Sequence, residues 1–488
     1  MKILVNALTT IFLMIVISGC TSTGSYTSRA TDVKLPSYMG EITEKNMTYE
    51  GIKRNPVIVI HGFQGSNLIN SKTGKNIWGE FKGSDALLGN NEKLRQISHP
   101  MKKGIKLDKL SDDIVPDGIM KKVKITCFGM TIEAIAYDSL INSLIFGGYQ
   151  PESVPLAKGK HFNSLFEFAY DWRRDLPYNA GMLDKFIKEK TIYIQKQYEK
   201  FYGVKDFDVQ FNVIAHSMGG LLSRYYLRYG AADLPEDGSI PKITWAGSKH
   251  LDTIIIAGTP NAGYLDTFLE MLEGDNMINL PTAALGTFPT YYQMLPATGT
   301  ESILFHGSNA PADVFNPKLW DEMKWGIMDP KEDETLKTLL PDAKTKEERK
   351  SIAFDHLTKC LNRAKQFIAA MKVKASPPND VKLKLIFGHG IKTSRRAYVD
   401  KKTGKISKVE YALGDGKVLS SSALWDERAD GIWSVFVRTP IDWSDTTLIR
   451  AAHMGILESP AFEDNVLFHL TMIETEKQKE TLKSVKKD

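Results

Sequence analysis

Short continuous apolar runs alternate along the chain with stretches whose apolar residues recur every three to four positions. Pro56-Val-Ile-Val-Ile60 is such a run and reads as a strand covered on both faces. Asp208 to Ile214 and Asp252 to Ala257 read as buried strands, and Val381 to Phe387 resumes the sheet. Leu183, Ile187, Ile194, Tyr198 and Phe201 fall at helical spacing, and Gly203 follows as a stop. A second helix starts at Met218 and carries Leu221, Leu222 and Tyr225 inward. Strand, helix, strand, helix, strand at this spacing predicts an α/β fold, a mostly parallel sheet with helices on both faces.

The pattern breaks at Tyr264. From there to about Pro378 the chain interleaves Met271, Met277, Tyr291, Tyr292, Met294, Trp320, Met323, Trp325 and Met328 with polar residues. A charged piece spans Lys331–Lys350, and an amphipathic helix runs through Phe354, Leu357, Leu361, Ala364, Phe367, Ile368 and Met371. An excursion this long between strands predicts an inserted cap or lid, and adaptable side chains of this kind suit a greasy substrate as well as a cap's own core. Beyond Phe387 a hairpin turns near Asp400–Gly404, and the tail from Thr471 is rich in lysine and glutamate. The implied organisation is a core in two parts, 49–263 and 379–470, interrupted by a cap at 264–378 and followed by a charged tail at 471–488.

The N-terminus has its own signature. Lys2 precedes an apolar run from Ile3 to Ile17 that closes on Ser18-Gly19-Cys20. The run is shorter than the ~20 residues a membrane span needs, and small residues end it as a cleavage site requires. A cysteine directly after the cut resembles the lipobox of bacterial lipoproteins. This implies a signal peptide at 1–19, lipidation of Cys20, and a Ser/Thr/Gly-rich tether at 20–48. The implied address is the cell envelope, and the outer membrane in a host that has one, because Thr21 rather than Asp follows Cys20.

Composition adds little. The 488 residues are 42% hydrophobic and 25% charged, with a formal net charge of +5, ordinary for a globular protein and too mild and dispersed to argue nucleic acid. Besides Cys20 there are Cys127 and Cys360, both in apolar segments, where buried thiols are the simpler reading than a disulfide. No HExxH and no paired Cys/His spacing is present, so neither metal nor cofactor is implied.

The chemistry centres on Ala215-His-Ser217-Met-Gly219, where a buried strand meets a helix. A serine at a sharp strand-to-helix turn presents its hydroxyl above the sheet as a nucleophile, and the position held by Ala215 needs only a small side chain. His61-Gly62-Phe63-Gln64-Gly65 follows the first strand. In α/β-hydrolases such a loop supplies one oxyanion donor, here the N–H of Phe63, and the residue after the serine, Met218, supplies the other. His61 reads as part of the turn rather than as a base.

A serine needs a histidine to take its proton and a carboxylate to orient that histidine, in the chain order Ser, acid, His. Six histidines follow Ser217, and only His453 and His469 lie beyond the candidate acid Asp415. His469 sits in an apolar helix-like run, whereas His453 precedes Gly455 in a turn-capable context and is the preferred base. Asp415, between two glycines, fits an exposed loop; Asp426, Asp430, Asp442 and Asp445 are its rivals.

Pro56–Gly65 with Leu68 and Trp78, Gly148-Tyr149, Ala169-Tyr170-Asp171-Trp172-Arg173, Ala215–Gly220 and Phe288–Pro296 together resemble the lecithin:cholesterol acyltransferase-like lipases. Gly414-Asp415-Gly416-Lys-Val418 and His453 match that family's acid and base, so the resemblance implies the triad Ser217, Asp415 and His453. Trp78, Tyr291 and Tyr292 are candidates for substrate contact. Asp171 and Arg173 read as a stitch beneath the site. His61-Gly62 departs from the Pro-Gly of many relatives, and no cysteine near Trp78 closes a lid loop. The resemblance and the anchor imply a membrane-tethered serine lipase or phospholipase acting on a lipid ester. Alternatives are an O-acyltransferase, an esterase or amidase for soluble substrates, and a non-catalytic envelope binding protein on the same scaffold.

Overall fold

A computed structural model describes residues 46–82, 91–127, 130–275, 280–296, 303–307, 310–430, 434–474, 478–479 and 483. The signal segment, Cys20 and most of the tether, together with Met277 and most of the tail, lie outside the described residues.

The central sheet has six parallel strands: β1 (Val57–Ile60), β2 (Leu165–Phe168), β3 (Phe211–His216), β4 (Leu251–Ala257), β5 (Lys382–Gly388) and β6 (Asp445–Ile449). Their order across the sheet is β6-β5-β4-β3-β1-β2. The boundaries differ slightly from those read in the sequence. Pro56 has no N–H to give a ladder and stays outside β1, and β3 begins at Phe211 rather than Asp208.

All residues of β1, β3 and β4 are buried, because both faces are covered. Val57 and Val59 point into one apolar layer, built with α1 (Asp138–Phe146) through Leu140, Ile141 and Leu144 and with a C-terminal helix, Pro460–Thr471, through Phe462, Val466 and Leu470. Ile58 and Ile60 point into the other and larger layer, shared with α2 (Leu176–Tyr202) and α3 (Met218–Tyr229). Leu183, Ile187, Ile194 and Tyr198 form the buried stripe of α2, which Gly203 ends in the left-handed conformation at φ 70°. α3 is buried on every side, as befits a helix under both the sheet and its neighbours.

Between β4 and β5 the chain forms several short helices, among them α4 (Asp266–Glu273), and then the long α5 (Lys346–Lys372). Phe268, Met271, Tyr291, Tyr292, Trp320, Trp325, Leu357 and Phe367 from this stretch join the same apolar layer as α2 and α3. Its strand Ile303–Phe305 also pairs with Ile391–Val399, one arm of the hairpin that returns through Ile406–Gly414. Two further three-stranded sheets lie between β1 and α1.

Chain order reverses where β3 lies beside β1, with β2 on the far side of β1. In open α/β sheets the crevice at the carboxyl ends of such neighbours is the natural place for a site. Five of the loops that leave these carboxyl ends carry His61, Ser217, Gly258, His389 and His453.

On α5, His356 is fully buried, its Nε2 3.0 Å from the Thr287 carbonyl and 3.4 Å from the free thiol of Cys360. Burial lowers its pKa from 6.5 to about 4 and that of His61 to about 3. Unfolding lets both rings take up protons, so their contribution to stability is complete above pH 6.5 and is lost as the pH falls toward those folded values. Each ring is expected to cost about 1.4 kcal/mol of stability per pH unit between pH 6 and 4.5. Urea unfolding across that range checks it. His356→Gln keeps an N–H for the Thr287 carbonyl but does not titrate, and should flatten the slope by one such increment.

Candidate active site

Ser217 follows β3 with φ 54° and ψ −126°, a conformation that an L-residue adopts only when its surroundings enforce it. The surroundings are close. The Ser217 N–H donates to the Ala257 carbonyl of β4 at 2.7 Å. A Cβ on Gly219 would run into the His61 and Ile60 carbonyl oxygens, and one on Gly62 would lie 2.8 Å from the Ser217 Cβ. Glycine at both positions lets the first turn of α3 settle against the end of β1. The small Ala215, paired with Ile60 on one side and Ile256 on the other, fits the same constriction.

Three side chains from three loops meet above this turn. His453 Nε2 lies 2.9 Å from Ser217 Oγ, and His453 Nδ1 lies 2.8 Å from Asp415 Oδ2. The other carboxylate oxygen, Asp415 Oδ1, accepts the N–H groups of Lys417 at 2.9 Å and Val418 at 2.6 Å. The Asp415 carbonyl accepts the His453 N–H at 2.9 Å, so acid and imidazole are joined through main chain as well. Asp415 is buried, 2% exposed, rather than on the exposed loop its glycines suggested. Its Gly neighbours serve the tight turn that hides it: a Cβ on Gly414 would crowd the Val418 carbonyl.

Two of the rival groups are engaged elsewhere. Asp426 takes a forked contact from Arg428, and Asp445 pairs with His469 at 3.4 Å and with Lys384 at 3.7 Å.

The hydroxyl opens into a cavity of about 410 Å3. Phe63, Leu269, Val418 and Met454 give it apolar surface, and Asp266, Glu270, Glu273, Asp275 and Lys417 make the rest of the lining polar and mainly acidic. The Tyr291 hydroxyl donates to Glu270 Oε2 at 3.0 Å, while Lys417 Nζ holds Glu270 Oε1 at 2.9 Å. Of the three candidates for substrate contact only Tyr291 lines this cavity. Trp78 is buried with its Nε1 on the Gln64 carbonyl at 3.1 Å, and Tyr292 is buried with its hydroxyl on the Gly286 carbonyl at 3.0 Å. Their apolar bulk supports the loops from behind. Among the described residues no group of three or more His, Cys, Asp or Glu is placed to hold a metal ion.

Phe63 and Met218 bracket the serine. Met218 opens α3, where the first turn leaves N–H groups without an intrahelical partner. The carbonyl of Gly62 faces His61 Nδ1 at 2.7 Å and the Gly65 N–H at 3.2 Å. A trans peptide then directs the Phe63 N–H the opposite way. His61 is buried, stacked on Tyr170 at 4.1 Å, and its Nε2 accepts the Tyr170 N–H at 3.1 Å. It is part of the turn.

Beneath that turn, Arg173 is completely buried between two carboxylates. Its guanidinium bonds Asp171 at 3.0 and 2.8 Å, Asp112 at 2.9 and 3.1 Å, and the Gln96 carbonyl at 3.1 Å. Trp172, held by its Nε1 on the Ser66 carbonyl at 3.3 Å, presents its ring edge to Phe63 at 4.8 Å. Asp112 carries no local signal in the sequence, because its partner lies 61 residues away. His216, between Ala215 and Ser217, is buried and bonded through both ring nitrogens, to the Tyr137 hydroxyl at 3.0 Å and to the His453 carbonyl at 3.2 Å. No sequence pattern marks Tyr137, 79 residues from it.

The sheet order, the turn at Ser217 and the loops at the carboxyl ends define an α/β-hydrolase. The sequence signature of the family described as Lecithin:cholesterol acyltransferase matches residues 133–419. The chain belongs to that family and is thus an ester hydrolase or acyltransferase. No curated protein matches the chain. Solved structures similar to it are the Tle4–Tli4 complex (12% identity, 86% of this chain and 99% of that one, TM-score 0.48), EstA from Clostridium botulinum (12%, 86% and 87%, 0.31), and a putative aryl esterase from Burkholderia cenocepacia (11%, 86% and 92%, 0.23).

Arg173→Ala strands two carboxylates in the interior and should destabilise the fold by about 3–5 kcal/mol. Arg173→Lys should recover only part of this, because an ammonium cannot span both carboxylates as a planar fork does. Urea midpoints of the two variants measure the difference.

Proposed function

We propose that the protein is a membrane-anchored serine acyl hydrolase that cleaves ester bonds of lipids. The observation that carries this reading is the continuous contact from Ser217 Oγ through His453 to the buried Asp415 at the floor of the cavity. In the first step Ser217 Oγ attacks the ester carbonyl carbon while His453 Nε2 takes the hydroxyl proton. Asp415, acceptor-only and fixed by two N–H groups, holds the imidazole tautomer and stabilises the imidazolium. The Phe63 and Met218 N–H groups receive the oxyanion as the tetrahedral intermediate forms. Collapse expels the alcohol, which takes the proton from His453, and leaves an acyl group on Ser217. Water, deprotonated by the same nitrogen, then releases the fatty acid.

The lipid assignment draws on the apolar residues that line the cavity, on the family, and on the lipobox-like Ser18-Gly19-Cys20, which would tether the enzyme where acyl lipids are. Cys20 is the proposed lipid attachment site, and the cell envelope the proposed location.

A fluorophosphonate should label the wild type at Ser217, and Ser217→Ala should abolish both the adduct and turnover of phospholipid or triacylglycerol interfaces. An undiminished adduct in Ser217→Ala would remove the serine mechanism. Faster turnover of short soluble esters than of lipid interfaces would remove the lipid assignment. Accumulation of a new ester on adding an alcohol would make the enzyme an acyltransferase.

A further inference from the structure

Tyr137 directly precedes α1 and lies far in sequence from every residue of the proposed mechanism, yet its hydroxyl is buried beside the nucleophile turn. Burial keeps the phenol protonated by raising its pKa. The oxygen accepts the Gly62 N–H at 2.7 Å and lies 3.0 Å from His216 Nδ1. His216 Nε2 in turn lies 3.2 Å from the His453 carbonyl.

The direction of each bond is fixed. A carbonyl only accepts, so His216 carries its proton on Nε2 and donates it to His453. His216 Nδ1 is therefore the acceptor, and the single proton of Tyr137 must go to it. The Gly62 N–H can only donate, which takes up a lone pair of the Tyr137 oxygen. Every member is satisfied in one arrangement and in that arrangement alone. A second proton on His216 would set Nδ1–H against the Tyr137 hydroxyl, and burial, reinforced by the neighbouring His453, keeps the ring neutral by lowering its pKa well below 6.5.

The two ends of this chain are the two parts of the machinery that must keep register. Gly62 supplies the carbonyl half of the peptide whose N–H belongs to Phe63. The His453 main chain carries the imidazole that bonds Ser217.

We propose that Tyr137 is a positioning residue for acyl transfer, its hydroxyl coupling the oxyanion turn at Gly62 to the main chain of the general base His453 through His216. This rests on the reading of Ser217, His453 and Phe63 above. Removing the hydroxyl leaves the Gly62 N–H and His216 Nδ1 unpaired and lets His216 change tautomer, which releases the His453 carbonyl. Tyr137 is among the residues lining the cavity, and Phe keeps its ring there, so the effect of losing the hydroxyl falls on the transition state.

The test compares Tyr137→Phe, His216→Asn and the double variant, with kcat normalised to sites titrated by fluorophosphonate. The amide oxygen of Asn can take the place of Nδ1, but no donor then reaches the His453 carbonyl. Tyr137→Phe should lower kcat about tenfold, the value of one well-placed hydrogen bond, with KM within about twofold. His216→Asn should do the same, and the double variant should be no slower than the slower single. A residue with only a structural role would lower the melting temperature and leave kcat per titrated site unchanged. Wild-type kcat in Tyr137→Phe, or strictly additive losses in the double variant, would overturn the proposal. If Tyr137→Phe does not fold, His216→Asn decides: a loss in kcat at constant KM supports the coupling, and its absence removes it. The underlying reading fails separately, when Ser217→Ala retains its adduct.

Discussion

The structure depends on a backbone turn that strand and helix would not make unaided. At φ 54° and ψ −126°, Ser217 stores local strain, and that strain persists because neighbouring strands fix the chain on both sides of it. β3 is paired with β1 and β4 up to its last residues, the Ser217 N–H is held by Ala257, and α3 presses glycine against the end of β1. Relaxing the serine would require displacing β1 or withdrawing a helix buried on every face. The energy of the sheet and its two apolar layers is thereby transmitted to one hydroxyl. This is why a site made of loops can sit in a fixed geometry.

The same logic explains the buried charge. A turn that must keep an N–H free for a substrate cannot be stabilised by its own backbone alone. Here the support comes from below: Arg173 gathers Asp171, Asp112 and a carbonyl into one network, and the adjacent Trp172, bonded to the Ser66 carbonyl, packs against Phe63. A buried ion network is a poor source of net stability, because desolvation offsets much of the attraction. Its value lies in geometry, since a planar fork bonded to two carboxylates admits little movement. His61 and His216, both buried and neutral, fix the turn from the remaining sides without adding charge next to the His453 imidazole.

How much of this was legible follows from where the information lies. β1 and β4 announce themselves because strands buried on both faces read as nearly unbroken apolar runs, and β3 and β5 remain legible although Asn212 and two lysines interrupt them. β2 is only Leu-Phe-Glu-Phe, and β6, Asp-Thr-Thr-Leu-Ile, alternates half-buried and exposed positions at the sheet edge before the buried Ile449. Neither stands out from its flanks, and neither did the small sheets between β1 and α1, whose strand Ile114–Ile119 contains proline and glycine. The triad candidates and the Asp171–Arg173 stitch could be named because each sits in a local motif. Asp112 and Tyr137 could not, because their partners are set by tertiary contact alone. The stretch after Tyr264 shows a different limit: its aromatic and methionine content was plain, but composition does not say that these side chains enter the same apolar layer as α2 and α3.

What completes the proposed reaction is decided outside the triad. His453 retains 16% of its side-chain exposure while Asp415 retains 1%. The proposed base is thus reachable from the cavity and its orienting acid is not, so one imidazole nitrogen can serve an incoming water as readily as an incoming alcohol. Selection between them falls to the cavity walls. Apolar and charged side chains share those walls: Leu269 lies on the same face of α4 as Asp266 and Glu270, and Val418 adjoins Lys417. The polar part is cross-linked, Glu270 being held by both Tyr291 and Lys417. An acceptor must therefore exchange hydrogen bonds with a preformed polar surface rather than organise it. Water does so at no conformational cost, whereas an alcohol succeeds only when its own hydroxyls or charge match that surface.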